Sequence, residues 1–153
     1  MAIGTDDAID KFGTDDDLDS TSAAVTNTSF SVAGDLAQWT NDDDAPFARF
    51  ILESTFSVSP DANSVVELFA RLIDFNVGND DTEVPTANFP HKLLGAFAIK
   101  DQTAIQRSAP LFCRLPNYDT SQVYEFYIRV QTGQTVSAGW TIFVKPITGG
   151  PHA

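Results

Sequence analysis

Two histidines, one cysteine and a scatter of carboxylates are the side chains of this 153-residue chain with which acid–base, nucleophilic or metal chemistry could be done. His91 follows Pro90 at the start of an apolar run and His152 sits in a terminal Gly-Gly-Pro segment, so neither lies in a motif of a base or a ligand. Cys113, in LFCRL, reads as a small buried apolar residue rather than a nucleophile. Asp15, Asp17 and Asp19 match the first three ligand positions of a calcium loop, but the sixth position is Ser20 instead of glycine and the twelfth is Thr26 instead of glutamate. Two further acidic loops, 41 to 44 and 79 to 83, could gather hard oxygen ligands at one end of a sheet protein. A solvated charge run is the simpler reading, and no metal or other cofactor is expected.

Glu53 and Glu67 could face each other as the paired carboxylates of glycoside hydrolysis if their strands formed a hairpin. Arg49 and Arg71 on the same strands make cross-strand ion pairs the plainer expectation. Trp39 and Tyr118 could stack on sugar rings, although core packing accounts for most aromatics in a sheet protein. No G-x-S-x-G, H-E-x-x-H or Gly-rich phosphate loop is present. The residues therefore point to no catalytic chemistry.

The elements that would position these side chains read as strands. In FARFILESTF, 47 to 56, Ala48, Phe50, Leu52, Ser54 and Phe56 share one face, while the other mixes charge with apolar groups as a partly covered sheet would. SPDANS, 59 to 64, is rich in turn formers, which predicts a hairpin with 65 to 74. That run also fits helical spacing; strand is preferred, with Val66, Leu68, Ala70 and Leu72 inward. Segment 91 to 100 is apolar on both faces and reads as a central strand. Segment 103 to 115, interrupted by prolines, reads as an edge. VYEFYIRV, 123 to 130, alternates cleanly and is expected to form a closing hairpin with 136 to 147 through Gly133. Seven or eight such strands without an amphipathic helix predict an all-β fold, an antiparallel β-sandwich of jelly-roll or Ig-like type spanning 29 to 148.

The formal charge is -12, from 21 acids and 9 bases. Eleven aspartates against Lys11 alone place -10 of it in the first 44 residues. A surface this acidic disfavours nucleic acid, no apolar run is long enough for a membrane span, and the opening residues lack the marks of a signal peptide. Few large apolar residues occupy the start, so residues 1 to 28 are expected to form an extended acidic arm outside the core, and 149 to 153 a flexible tail. Extended, the arm would reach on the order of 80 Å. Phe12, Asp15, Asp16, Asp17 and Leu18 within it, together with Trp39, are the candidate interface residues.

Several segments taken together carry a resemblance: FARFILE followed by FSVSPDANSVVELFARLID, the GND of the next loop, LLGAFAI at 93 to 99, and VYEFYIRVQTGQTVSAGWTIFVKPI at 123 to 147. Over about residues 25 to 148 the chain resembles small structural proteins encoded by tailed bacteriophages. The resemblance implies a non-enzymatic virion component, a decoration or cement protein on the head exterior, made in the host cytoplasm. Its partners would be the major capsid protein or other virion proteins, and it would be a homo-oligomer, a trimer or dimer. Alternatives are a neck, tail or fibre component, or a carbohydrate-binding module for the host surface.

Overall fold

The computed structural model describes residues 8–14, 16–18, 21–73, 84–86, 92–116 and 121–151. These residues form two antiparallel sheets. The larger contains β1 (Ala8–Phe12), β10 (Thr141–Pro151), β4 (Phe47–Ser54) and β7 (Gln106–Arg107) in that spatial order, with β2 (Asp16–Asp17) also along β10 and β8 (Leu111–Arg114) also along β4. The smaller runs β3 (Trp39–Asn41), β9 (Gln122–Gln131), β5 (Val65–Ile73), β6 (Leu93–Ala98).

The two-residue alternation read from the sequence determines which side chains enter the core. Ala48, Phe50 and Leu52 of β4 and Ile142 and Val144 of β10 are buried from the larger sheet. Val66, Leu68 and Ala70 of β5 and Tyr124, Phe126, Ile128 and Val130 of β9 are buried from the smaller. All belong to one apolar cluster. Phe50 meets Phe126 edge to face with ring centroids 5.2 Å apart, which joins the two sheets by a favourable aromatic geometry. Among the described residues no helix is long and apolar enough to cross a membrane.

Strand partners differ from those expected. β4 and β5 do not pair; β4 lies between β10 and β8, and β5 between β9 and β6. The SPDANS connection therefore carries the chain from one sheet to the other. Asn63 takes the left-handed φ of 62° there, and the Asp61 amide donates to the Thr132 carbonyl at 2.9 Å, tying this crossing to the next one. The QTGQT connection does the same between β9 and β10, where the Thr132 and Gly133 amides donate to Asn27 Oδ1 at 3.1 and 3.0 Å. Alternation specifies an inward face, and either a hairpin or a crossing satisfies it. Among the described residues β6 is an edge strand paired with β5 alone, not a central one; the register shifts at Leu68/Phe69, and Leu93 is exposed. The proline-interrupted segment does lie at an edge, as β7 and β8.

The expected arm is stitched into the domain wherever it is described. β1 pairs with the end of β10, Phe12 opposite Ile147 and Ala8 opposite Pro151, so β10 continues through the expected tail to Pro151. The Leu18 amide donates to the Ile142 carbonyl at 3.0 Å, and Val25 and Val136 exchange two bonds of 3.0 Å. Leu18 and Val25 are buried in the common core, while Asp16 and Asp17 remain exposed. Sparse apolar residues suffice here because sheet pairing satisfies the intervening backbone, and only the occasional side chain has to reach the interior.

Candidate functional site

The outer faces of the two sheets carry different chemistry. On the smaller sheet the charges pair with one another. Arg71 Nε donates to Glu125 Oε2 at 2.6 Å, Arg129 Nη1 to Glu67 Oε2 at 3.4 Å, and the Tyr127 hydroxyl to Glu125 Oε2. Phe30 closes over Phe69 with centroids 5.1 Å apart, and the Arg129 guanidinium lies over Phe30. Glu125 and Tyr127 are buried although they point away from the core between the sheets. Burial, with the adjacent Glu125 carboxylate second, pushes the Tyr127 phenol well above its ordinary range.

The outer face of the larger sheet is open, and register arranges it in rows across the strands. Arg114, Phe47, Ile147 and Phe12 form the first row; Phe112, Arg49 and Lys145 the second; Ile51, Phe143 and Asp17 the third; Arg107, Glu53 and Thr141 the fourth. Phe12, Phe47 and Phe112 are 53%, 48% and 64% exposed, and they are the exposed phenylalanines among the described residues. The Arg49 guanidinium lies 5.9 Å from the centre of the Phe12 ring. Arg107 is held by Glu53, Nε to Oε2 at 2.5 Å, and lies 5.1 Å over Phe143. Between these side chains runs a groove of about 350 Å³ lined by Asp17, Arg49, Ile51, Arg107, Phe143 and Lys145. Such a surface offers planar guanidinium donors beside apolar rings, which suits binding rather than bond making.

The expected interface residues are not brought together. Phe12 and Asp17 stand on the open face, where Asp17 Oδ1 accepts from Thr141 Oγ1 at 2.7 Å. Leu18 and Trp39 are core residues, 3% and 4% exposed, and so offer no surface to a partner. Trp39 packs against Tyr124 and Phe126 and donates its indole N–H to Asp16 Oδ2 at 2.9 Å. Its buried ring cannot stack on a sugar. Asp15 lies outside the described residues, as do His91, His152, Tyr118 and the acidic loop 79 to 83. Asp16, Asp42 and Asp43 border a shallow hollow beside Trp39, yet among the described residues no group of three or more His, Cys, Asp or Glu is placed to hold a metal ion.

Glu53 and Glu67 form no catalytic dyad, because they stand on opposite outer faces of two sheets whose backbones pack roughly 10 Å apart. Each has an arginine partner, though not the expected one: Arg107 for Glu53 and Arg129 for Glu67. Burial pushes the Cys113 thiol up to about 11, which keeps it protonated and a poor nucleophile at neutral pH. The sequence reading passed over Phe47, Arg49, Phe112, Phe143 and Lys145 as site residues. Their signal was the mixed charged and apolar face of 47 to 56, and only strand pairing shows that five other strands continue it. No protein-family model matches the chain, and no curated protein matches it.

Proposed function

We propose that this is a non-enzymatic structural protein that acts by docking onto other proteins, and that its specific form is a decoration or cement protein on the head of a tailed bacteriophage. The observation that carries the reading is the open face of the larger sheet, with three exposed phenylalanines set among arginines. Aromatic and arginine side chains dominate the binding energy of protein interfaces, and apolar rings grouped on one exposed sheet face mark an interaction surface. We read the architecture as a jelly-roll β-sandwich. The chain crosses between the sheets after β2, β3, β4, β6, β8 and β9, with spatial orders β1-β10-β4-β7 and β3-β9-β5-β6, which supports this, and jelly rolls recur in viral capsid and lectin domains. That argument is one of fold analogy; the phage assignment itself rests on the resemblance of the strand segments. In this reading the protein lies across neighbouring capsid subunits and raises the work of separating them.

Co-sedimentation of the full-length protein with undecorated heads of the encoding phage tests the proposal. Saturable binding at a fixed number of copies per capsomer is expected, reduced by Phe47→Asp and Phe112→Asp. Both residues are exposed, so these variants keep the fold. A deletion of residues 1 to 28 is not a usable control, since it removes core side chains. Absence of binding by the parent protein would overturn the decoration assignment and direct attention to neck, tail or fibre partners.

A further inference from the structure

We propose that the free edge of β6 pairs with β6 of a second copy of this chain, joining two domains into a dimer through one continuous sheet. The pairing does not depend on the open face of the larger sheet; only its consequence for docking rests on that reading. The Ile99 amide donates to the Ser64 carbonyl at 3.0 Å, which extends the β5–β6 ladder. Bonded and non-bonded pairs alternate in an antiparallel ladder, so Phe97 bonds toward β5 while Ala96 and Ala98 turn their N–H and C=O groups to the free edge. Both alanines are exposed, and among the described residues no hydrogen bond reaches those groups. The Leu94 carbonyl, next along the same edge, accepts from the Cys113 thiol at 3.5 Å, so the open stretch is Ala96 to Ala98. An unpaired edge is a template for another chain, and proteins blunt theirs with charge, proline or short strands. The other edges here are blunted: β3 has three residues, β8 carries Arg114 and lies between Pro110 and Pro116, and β1 contains Asp10 and Lys11. β6, with the sequence LLGAFA, has neither charge nor proline.

Charge and symmetry select the occupant. A chain of net -12 repels acidic strands and nucleic acid, whereas Lys92 and Lys100 at the two ends of β6 oppose a basic strand. That leaves an uncharged strand, and β6 is one. Pairing Ala96 of each copy with Ala98 of the other satisfies the free groups of both and sets Lys100 opposite Leu94 rather than Lys92. Asp16, Asp17 and Asp42 to Asp44 stand away from this edge, in β2 or directly after β3. β2 lies along β10 on the side away from β4 and β8, and β3 is the opposite edge of the smaller sheet, three strand spacings or about 14 Å from β6. That exceeds the Debye length of about 8 Å at physiological salt. Exposed Leu93 and Ile105 flank the edge and add apolar area to the contact, Ile105 beside the Gln106 side chain that holds the Lys100 backbone. Identical strands paired antiparallel are related by a two-fold axis perpendicular to their sheet, which keeps both larger sheets on one side of the dimer. Both open faces then point the same way, and two linked docking faces gain about 10²–10⁴ in avidity over one without any new contact.

Sedimentation equilibrium of the full-length protein over a range of concentration and salt tests the pairing. A reversible monomer–dimer equilibrium is expected, with the dimer favoured by added salt because screening relieves the repulsion between two chains of net -12. Amide exchange should slow at Ala96 and Ala98 as the concentration rises, while Phe97, bonded to β5, is slow throughout. Ala96→Pro deletes an N–H that bonds nothing within the domain, and should raise the dissociation constant by more than about tenfold, equivalent to about 1.4 kcal/mol. Melting in dilute solution shows whether the variant is folded. A variant that melts early is replaced by Ala98→Lys, an exposed substitution for which the same loss is expected. A chain that stays monomeric at roughly 1 mM, a dimer indifferent to both substitutions, or a dimer abolished by Phe47→Asp on the other sheet would overturn the proposal. Head binding separates the two readings. Parent protein that binds heads but never dimerises refutes the pairing and leaves decoration standing. A dimer that depends on the β6 edge but does not bind heads refutes decoration and leaves the pairing standing.

Discussion

Replacing Leu18 by alanine tests whether the acidic N-terminal segment belongs to the folded domain. Leu18 is flanked by aspartates, and on composition alone it would lie on a solvated arm, where a substitution changes stability by no more than about 0.5 kcal/mol. In the structure its side chain is 3% exposed and belongs to the core cluster. Its amide donates to Ile142 at 3.0 Å and its carbonyl accepts from the Ala37 amide at 3.1 Å. Those backbone bonds survive the substitution, so the effect isolates packing. Loss of the buried methyl and methine groups together with the cavity left behind costs about 2–5 kcal/mol. For a domain near 150 residues each kcal/mol lowers the melting temperature by about 2–4 °C, so a fall of roughly 4–20 °C is expected. Urea unfolding should show a lower midpoint with an unchanged slope, because the surface exposed on unfolding hardly changes. Val32→Ala, at a site 62% exposed, is the control and should leave both transitions nearly where they are. If Leu18→Ala shifts the transition no more than Val32→Ala does, the segment is not part of the core in solution and the reasoning fails.

Three other outcomes are expected. Glu125→Gln removes the buried carboxylate that accepts from Arg71 and Tyr127, and should destabilise by about 3–5 kcal/mol in urea unfolding; a change below about 1 kcal/mol would show the pair to be dispensable. Burial raises the thiol of Cys113 from 9.0 to about 11 and the phenol of Tyr124 from 10.0 to about 12. The folded state therefore holds these protons more tightly than the unfolded one, so stability is full below pH 9 and declines between pH 9 and 12, by on the order of 3 kcal/mol per group once both states have ionised. A urea midpoint that stays constant across this alkaline range would contradict the burial of both groups, as would rapid modification of the native thiol at neutral pH. Thr28 is β-branched yet adopts a φ of 65°, so Thr28→Asn should stabilise by about 1 kcal/mol, read as a higher melting temperature; a decrease would mean that the threonine side chain makes contacts worth more than its strain.

The faces of β4, β5 and β9 were legible because alternation depends only on the order of residues along one strand. Partners were not legible, because SPDANS and QTGQT contain turn formers that serve a hairpin within a sheet and a crossing between sheets equally well. The acidic start misled for a related reason. Averaged over a window, its aspartates outweigh Leu18 and Val25, yet several of them act as acceptors within the fold. Asp35, itself buried, accepts from the Ala23 and Val32 amides at 3.1 and 2.8 Å, and Asp16 accepts from the Trp39 indole. A carboxylate that satisfies backbone donors and one that keeps a tail soluble have the same letter in the sequence. For the open face, Arg49, Ile51 and Glu53 could be seen to share a side of one strand, but nothing in the linear order joins them to Arg107, Phe143 or Lys145.

The contrast between the two outer faces indicates which residues can be changed without disturbing the fold. On the smaller sheet, Glu125 and Tyr127 are buried and bonded to each other, so a substitution there leaves polar groups without partners inside the protein and registers as lost stability. On the larger sheet, Phe12, Phe47 and Phe112 are about half exposed or more, so exchanging them for polar residues forfeits little burial. Apolar rings on an open sheet raise the risk of self-association, which the strong net negative charge of the chain opposes. The proposed docking function would give a role to side chains that contribute little to folding and add to that risk. Binding and stability are accordingly separable on the larger sheet and inseparable on the smaller. A loss of partner binding in Phe47→Asp at constant melting temperature would distinguish docking through this face from a general loosening of the domain.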